Sequence, residues 1–155
     1  MIFIEFSPDF SAEEFPTLDI GQLERAAREA LQHPMHTTSG DLTLVLSDEK
    51  LVRQLNSEYL GIDEPTDVLS FPAGEIDPDT HSLYLGDVII SIPIAKAQAS
   101  ERALSLRDEL YLLVVHGVLH LLGYDHVDEA EKQKMWSLQR EILKRLGCEY
   151  AAPEY

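Results

Sequence analysis

A single cysteine, Cys148, leaves this chain without an internal disulfide. That fits a reducing compartment, and the cytoplasm is expected. No apolar run approaches the ~20 residues that span a bilayer, so no membrane segment is expected. Met1 to Phe6 is apolar but too short, and too poor in positive charge, for a secretion signal. Positive charge is scarce throughout. Twelve Lys and Arg stand against 28 Asp and Glu, for a net charge of -16. Such a balance argues against loose attraction to nucleic acid or anionic membrane. An RNA partner would need a local basic patch, a metal, or a second protein. Internal repeats, low-complexity tracts and Gly/Ser-rich linkers are also missing. Nothing divides the 155 residues, so one domain, 1–155, with one core is expected.

What the chain does have is His116-Gly117-Val118-Leu119-His120-Leu121-Leu122-Gly123-Tyr124-Asp125-His126, with three of its six histidines. The first two lie in an apolar run, Leu110 to Leu122, that reads as a helix. Four residues turn a helix by about 400° and raise it by roughly 6 Å. His116 and His120 therefore share a face, one turn apart, close enough to hold one ion. Gly123 can take the left-handed conformation that closes a helix, after which His126 can swing back to the same point. Three imidazoles with one position left open suit a catalytic zinc site, since a structural site usually fills all four. A lone histidine on an apolar helix is more often a hydrogen-bonded core residue. The glycine and the third histidine favour the metal.

Around this stretch the chain alternates between strands and helices. Ile2 to Phe6 reads as a strand and Asp19 to Gln32 as a helix, ended by Pro34. Asp41 to Leu46 reads as a strand, with Ser47 as the expected cap of a helix carrying Leu51, Val52, Leu55 and Tyr59. Val68 to Phe71 reads as a short strand, Ala73 to Ser82 as a mobile loop, and Leu83 to Ile90 as a strand with a bulge or close approach at Gly86. Ser91 caps a helix running to about Leu104, with Pro93 in its first turn. Ser105 opens the histidine helix, apolar nearly all round and so expected at the centre. Asp128 caps the last helix, Glu129 to Leu146. The order β-α-β-α-β-β-α-α-α predicts an α+β fold: a small mixed sheet packed with about five helices.

The chemistry expected of such a site is hydrolysis or a related displacement, because zinc lowers the pKa of bound water to as low as ~7. In H-E-x-x-H peptidases the residue after the first histidine is the glutamate that acts as base. Here it is Gly117, which cannot take a proton. Asp125 and Glu109 are the nearest acids that could replace it, although Asp125 can equally orient His120 or His126. Glu109, two turns before His116, reads better as a solvated residue of the helix's first turn. Tyr124 is either a hydrogen-bond donor to substrate or a packing residue. Arg53, Lys96, Arg102 and Arg107 are candidates for phosphate contact, each individually closer to a plain surface charge. His33 and His36 form an H-x-x-H pair beside Pro34 that reads as exposed rather than as a second site. Cys148 reads as an inert thiol.

The stretch His116 to His126 resembles the H-G-x-L-H-L-x-G-Y-D-H signature of the YbeY family, bacterial endoribonucleases also called rRNA maturation factors. Leu55-Asn56 through Tyr59, followed by Asp63 to Pro72, resembles its second signature, and Leu85 to Ser91 a third. The three run in family order across most of the chain. The resemblance implies an α+β fold, a Zn2+ ion on His116, His120 and His126, and single-strand-specific RNA cleavage. It further implies a role in maturing ribosomal RNA, notably the small-subunit 3′ end, and in ribosome quality control, with the ribosome or a ribosome-associated protein as partner. One position departs from the family. Where its members commonly carry an arginine thought to contact the RNA phosphate, this chain has Leu60, which offers neither charge nor donors. Two other functions compete: a non-catalytic ribosome assembly factor with a structural zinc, and a zinc peptidase weakened by Gly117.

Overall fold

The computed structural model describes residues 1–33 and 39–148. Among these residues, four strands and five α-helices follow one another: β1 (Ile2–Phe6), α1 (Ile20–Leu31), β2 (Asp41–Ser47), α2 (Glu49–Leu60), β3 (Val68–Ile76), β4 (Leu83–Ser91), α3 (Ile92–Glu101), α4 (Leu106–Leu121) and α5 (Glu129–Arg145). A single 3-10 turn, Ala12–Glu14, lies between β1 and α1. The sheet order is β1-β2-β4-β3. The first three strands are parallel, and β3 runs antiparallel to β4 on the edge. This is the mixed sheet and α+β fold expected.

Strand alternation sends side chains to two faces. Leu42, Leu44 and Leu46 of β2, with Val88 and Ile90 of β4, enter the main core beneath α1, α4 and α5. Val45, Leu69, Phe71 and Ile89 point the other way, where Val52 and Leu55 of α2 cover them. Helix α4 is the hub. Every residue from Glu109 to Leu119 is buried, as a helix apolar all round must be.

Local signals account for most boundaries. Asp19, Ser91, Ser105 and Asp128 each accept a backbone N–H at the start of α1, α3, α4 and α5. The cap of α2 is Asp48, not Ser47: Asp48 Oδ1 accepts from Leu51 N at 3.0 Å. Ser47 is the last residue of β2, paired with Ser91 of β4. Segment 73–76, expected in a loop, extends β3. Glu75 and Ile76 pair with Tyr84 and Leu83 beyond a register shift. The pairing satisfies the backbone although every side chain of the segment is exposed on an edge strand. The turn is shorter, with Asp77 Oδ1 accepting from the N–H groups of Asp79 and Thr80. Helix α3 stops at Glu101, before Ala103 takes a left-handed φ of 55°.

Two polar expectations are corrected. Glu109 is fully buried, because α3 brings Arg102 to it in a two-pronged ion pair at 2.8 and 3.1 Å. His33 is also buried, its Nε2 3.2 Å from the Glu141 carboxylate on α5. Its companion His36 lies outside the described residues. Cys148 is buried. Among the described residues, no helix is long and apolar enough to cross a membrane.

Candidate metal centre

The end of α4 creates the site. Gly123 takes φ 97°. Its N–H reaches the His120 carbonyl at 3.0 Å, and Tyr124 N–H reaches the Leu119 carbonyl at 3.0 Å. This is the Schellman closure, which needs a left-handed residue and satisfies carbonyls that the helix leaves open. The reversal carries His126 back over the final turn. Asp125 Oδ1 accepts the His126 backbone N–H at 2.7 Å and holds the returning chain.

The three histidines meet. One ring nitrogen from each lies within 4.8 Å of the other two. His116 Nε2 and His120 Nε2 are 3.1 Å apart. Tetrahedral ligands at the usual zinc–nitrogen length sit about 3.3 Å from one another, so this pair is spaced for a common ion. The rings of His116 and His126 stack with centroids 5.9 Å apart, and His120 lies edge-on to both. Burial drives the His116 pKa down to about 4, against which the Gln139 hydrogen bond works upward. Burial lowers the His120 pKa too, helped by the charge of His126. The neutral imidazoles favoured by burial are the form that binds metal. The donor set and its electrostatics fit a divalent metal ion.

Gly117 lies where a peptidase would carry its glutamate. A Cβ there would come within 2.5 Å of Val88 Cγ1 and 3.3 Å of Ser70 Oγ. Helix α4 packs so closely on β3 and β4 that no side chain fits. A second glycine makes the same junction: at Gly86, φ 137°, a Cβ would lie 2.2 Å from the Phe71 carbonyl oxygen and 3.0 Å from Leu121 Cδ2. All three signature stretches therefore contribute to one contact. Ser70 and Phe71 come from the second, Gly86 and Val88 from the third, and Gly117 and Leu121 from the first. Elsewhere in the second signature, buried Asn56 donates from Nδ2 to the Glu64 carbonyl at 3.0 Å and shapes the loop after α2.

The other candidates are placed differently. Asp125 is exposed beside the cluster, with its oxygen on the His126 backbone. Tyr124 packs against the core beneath Lys134 Nζ, 5.6 Å from its ring centroid. The four basic candidates are engaged elsewhere. Arg53 pairs with Asp63, Arg102 with Glu109 and Arg107 with Asp108, while Lys96 Nζ lies 5.5 Å from the Phe15 ring centroid. Gln139 is a site residue that the sequence reading missed. Its Oε1 is 2.5 Å from His116 Nδ1. The available signal was a polar residue on the buried stripe of α5, four positions after Met135.

Comparison with known proteins gives consistent matches. The family model described as "Endoribonuclease YbeY" matches residues 11–147. Curated relatives of that name include one from Sulfurihydrogenibium, 47% identical over 122 residues, covering 78% of this chain and 80% of that protein. One from Heliobacterium modesticaldum is 42% identical, covering 88% and 87%. One from Geobacillus thermodenitrificans is 42% identical, covering 94% of each. The fold is similar to the solution structure of TM1509 from Thermotoga maritima, with a TM-score of 0.58, 26% identity, and 94% and 89% of the two chains covered.

Proposed function

The chain belongs to the YbeY endoribonuclease family, and we propose that it is a zinc-dependent, single-strand-specific endoribonuclease. Its proposed place is the maturation of ribosomal RNA at the small-subunit 3′ end and ribosome quality control, in the cytoplasm. The whole chain acts as one domain, with the ribosome or a ribosome-associated protein as partner.

The observation that carries this reading is the convergence of three ring nitrogens within 4.8 Å at the end of a buried, sheet-backed helix. His116, His120 and His126 would hold the ion. A zinc ion held by them would supply Lewis acidity toward a phosphoryl oxygen and a more acidic water at neutral pH. The chain's own contribution is placement. Helix α4 fixes two rings, the Gly123 turn and Asp125 fix the third, and burial keeps His116 neutral. The packing at Gly117 leaves no room for a peptidase base, which favours a phosphodiester over an amide as substrate.

One comparison tests the proposal. Wild type and a folded His120→Ala variant are offered single-stranded RNA and a casein-like protein, with metal content read by elemental analysis. RNA cleavage that is lost with the histidine is expected. Proteolysis supports a peptidase. No turnover of either, with ribosome association intact, supports an assembly factor with structural zinc. Leu60 and the net charge of -16 are the observations that favour this second reading.

A further inference from the structure

Gln139 is fully buried on α5, facing the histidine helix. Its Oε1 is 2.5 Å from His116 Nδ1, while its Nε2 is buried without a hydrogen-bond partner. A half-satisfied buried amide is unfavourable, because its unpaired donor has given up water for nothing. A methionine of similar shape would avoid that penalty, because it brings no donor into the core. The position therefore requires something an apolar side chain cannot supply, and its one side-chain hydrogen bond is to a ring of the proposed metal centre.

We infer that Gln139 is a positioning residue that sets the tautomer of His116. An amide oxygen carries lone pairs and no hydrogen, so His116 Nδ1 must donate. In a neutral imidazole the other nitrogen, Nε2, then keeps its lone pair. That nitrogen faces His120 Nε2 at 3.1 Å and belongs to the convergent set. Gln139 thus presents His116 to a metal with the proton already on the far side, and its hydrogen bond locks the ring plane. Such a partner also raises the donor strength of its ligand, a neutral amide less than a carboxylate. This inference rests on the metal-site reading above and extends it to a residue on a different helix.

The test uses the full chain as wild type, Gln139→Met and Gln139→Glu. In the metal-free protein, above the ordinary histidine pKa, long-range 1H–15N spectra report the tautomer of each ring. Wild type is expected to show His116 protonated at Nδ1, and Gln139→Met to lose that preference. Zinc affinity is then measured by competition with a chromophoric chelator. Gln139→Met should bind about 10–100-fold more weakly, and Gln139→Glu should bind at least as tightly as wild type. The urea midpoint of metal-free Gln139→Met should be no lower than wild type, a result that a merely structural role would not produce. A His116 proton on Nε2 in the wild type, or unchanged zinc affinity in Gln139→Met, would overturn the inference. Failure of the wild type itself to bind zinc would instead overturn the metal-site reading, with the tautomer still deciding what Gln139 does to the ring.

Discussion

Ser70 Oγ donates to the Gly117 carbonyl at 3.0 Å, tying edge strand β3 to the histidine helix one residue past His116. The same residue of α4 has Val88 against its Cα, at a distance that excludes a methyl group. Gly117→Ala gains helix propensity of about 1 kcal/mol but overpacks a close contact. We expect a net loss of about 1–3 kcal/mol, read from urea unfolding. Gly117→Glu, which rebuilds the peptidase motif, should lose more and acquire no proteolysis. Wild-type stability in either variant would mean that β4 can yield.

Gly123 and Gly147 close α4 and α5 by the same pair of hydrogen bonds, at φ 97° and 80°. Neither glycine has an atom within 4 Å of its would-be Cβ, so an alanine is strained only by its backbone. Each alanine variant should lose about 1 kcal/mol. Only Gly123→Ala should also weaken zinc binding, because only that turn returns a histidine. Equal zinc affinity in the two variants would detach the turn from the site.

Burial raises the Glu109 pKa, and the Arg102 guanidinium opposes the shift. Removing one partner leaves a buried charge uncompensated. Arg102→Met should therefore lose about 3–5 kcal/mol, whereas the double variant with Glu109→Met should recover most of it. Thermal and urea unfolding of the two would show this. A double variant no more stable than the single one would mean that Glu109 is not left uncompensated when Arg102 is gone.

His116 has a folded pKa of about 4 against an ordinary value of 6.5. The unfolded chain therefore binds the proton first as pH falls. This contribution to stability is complete above pH 6.5 and is lost on acidification toward pH 4. It is on the order of 3 kcal/mol for the metal-free protein. The His120 pKa is lowered as well and acts in the same direction. A His116→Asn variant should show a shallower fall of urea midpoint across that window. Parallel curves would count against the buried neutral ring.

Leu60 ends α2 and is 58% exposed. Its neighbour Tyr59 packs edge-on against Phe71, with centroids 5.3 Å apart. Leu60→Arg adds a forked donor without displacing a packed side chain. It should raise single-turnover RNA cleavage by about tenfold, the equivalent of one charge-assisted contact made in the transition state. An unchanged rate would deny a phosphate role to that position.

Much of this was legible along the chain because it depends on neighbours in sequence. Helical period placed His116 and His120 on one face, Gly123 marked the reversal, and most of the capping residues announced themselves. The extension of β3 through 73–76 was hidden, because Pro72 and Gly74 read as a break and the partner that makes the segment a strand lies across a turn. The burial of Glu109 was hidden for a similar reason: the acid looks solvated until α3 supplies Arg102. Residue order alone thus determined the set of imidazoles and the turn that gathers them. The packing of α4 on β3, β4 and α5 decided the rest: why residue 117 can carry no side chain, and which amide meets the far nitrogen of His116. Contacts between distant segments depend on how close two backbones come, and no local pattern records that distance.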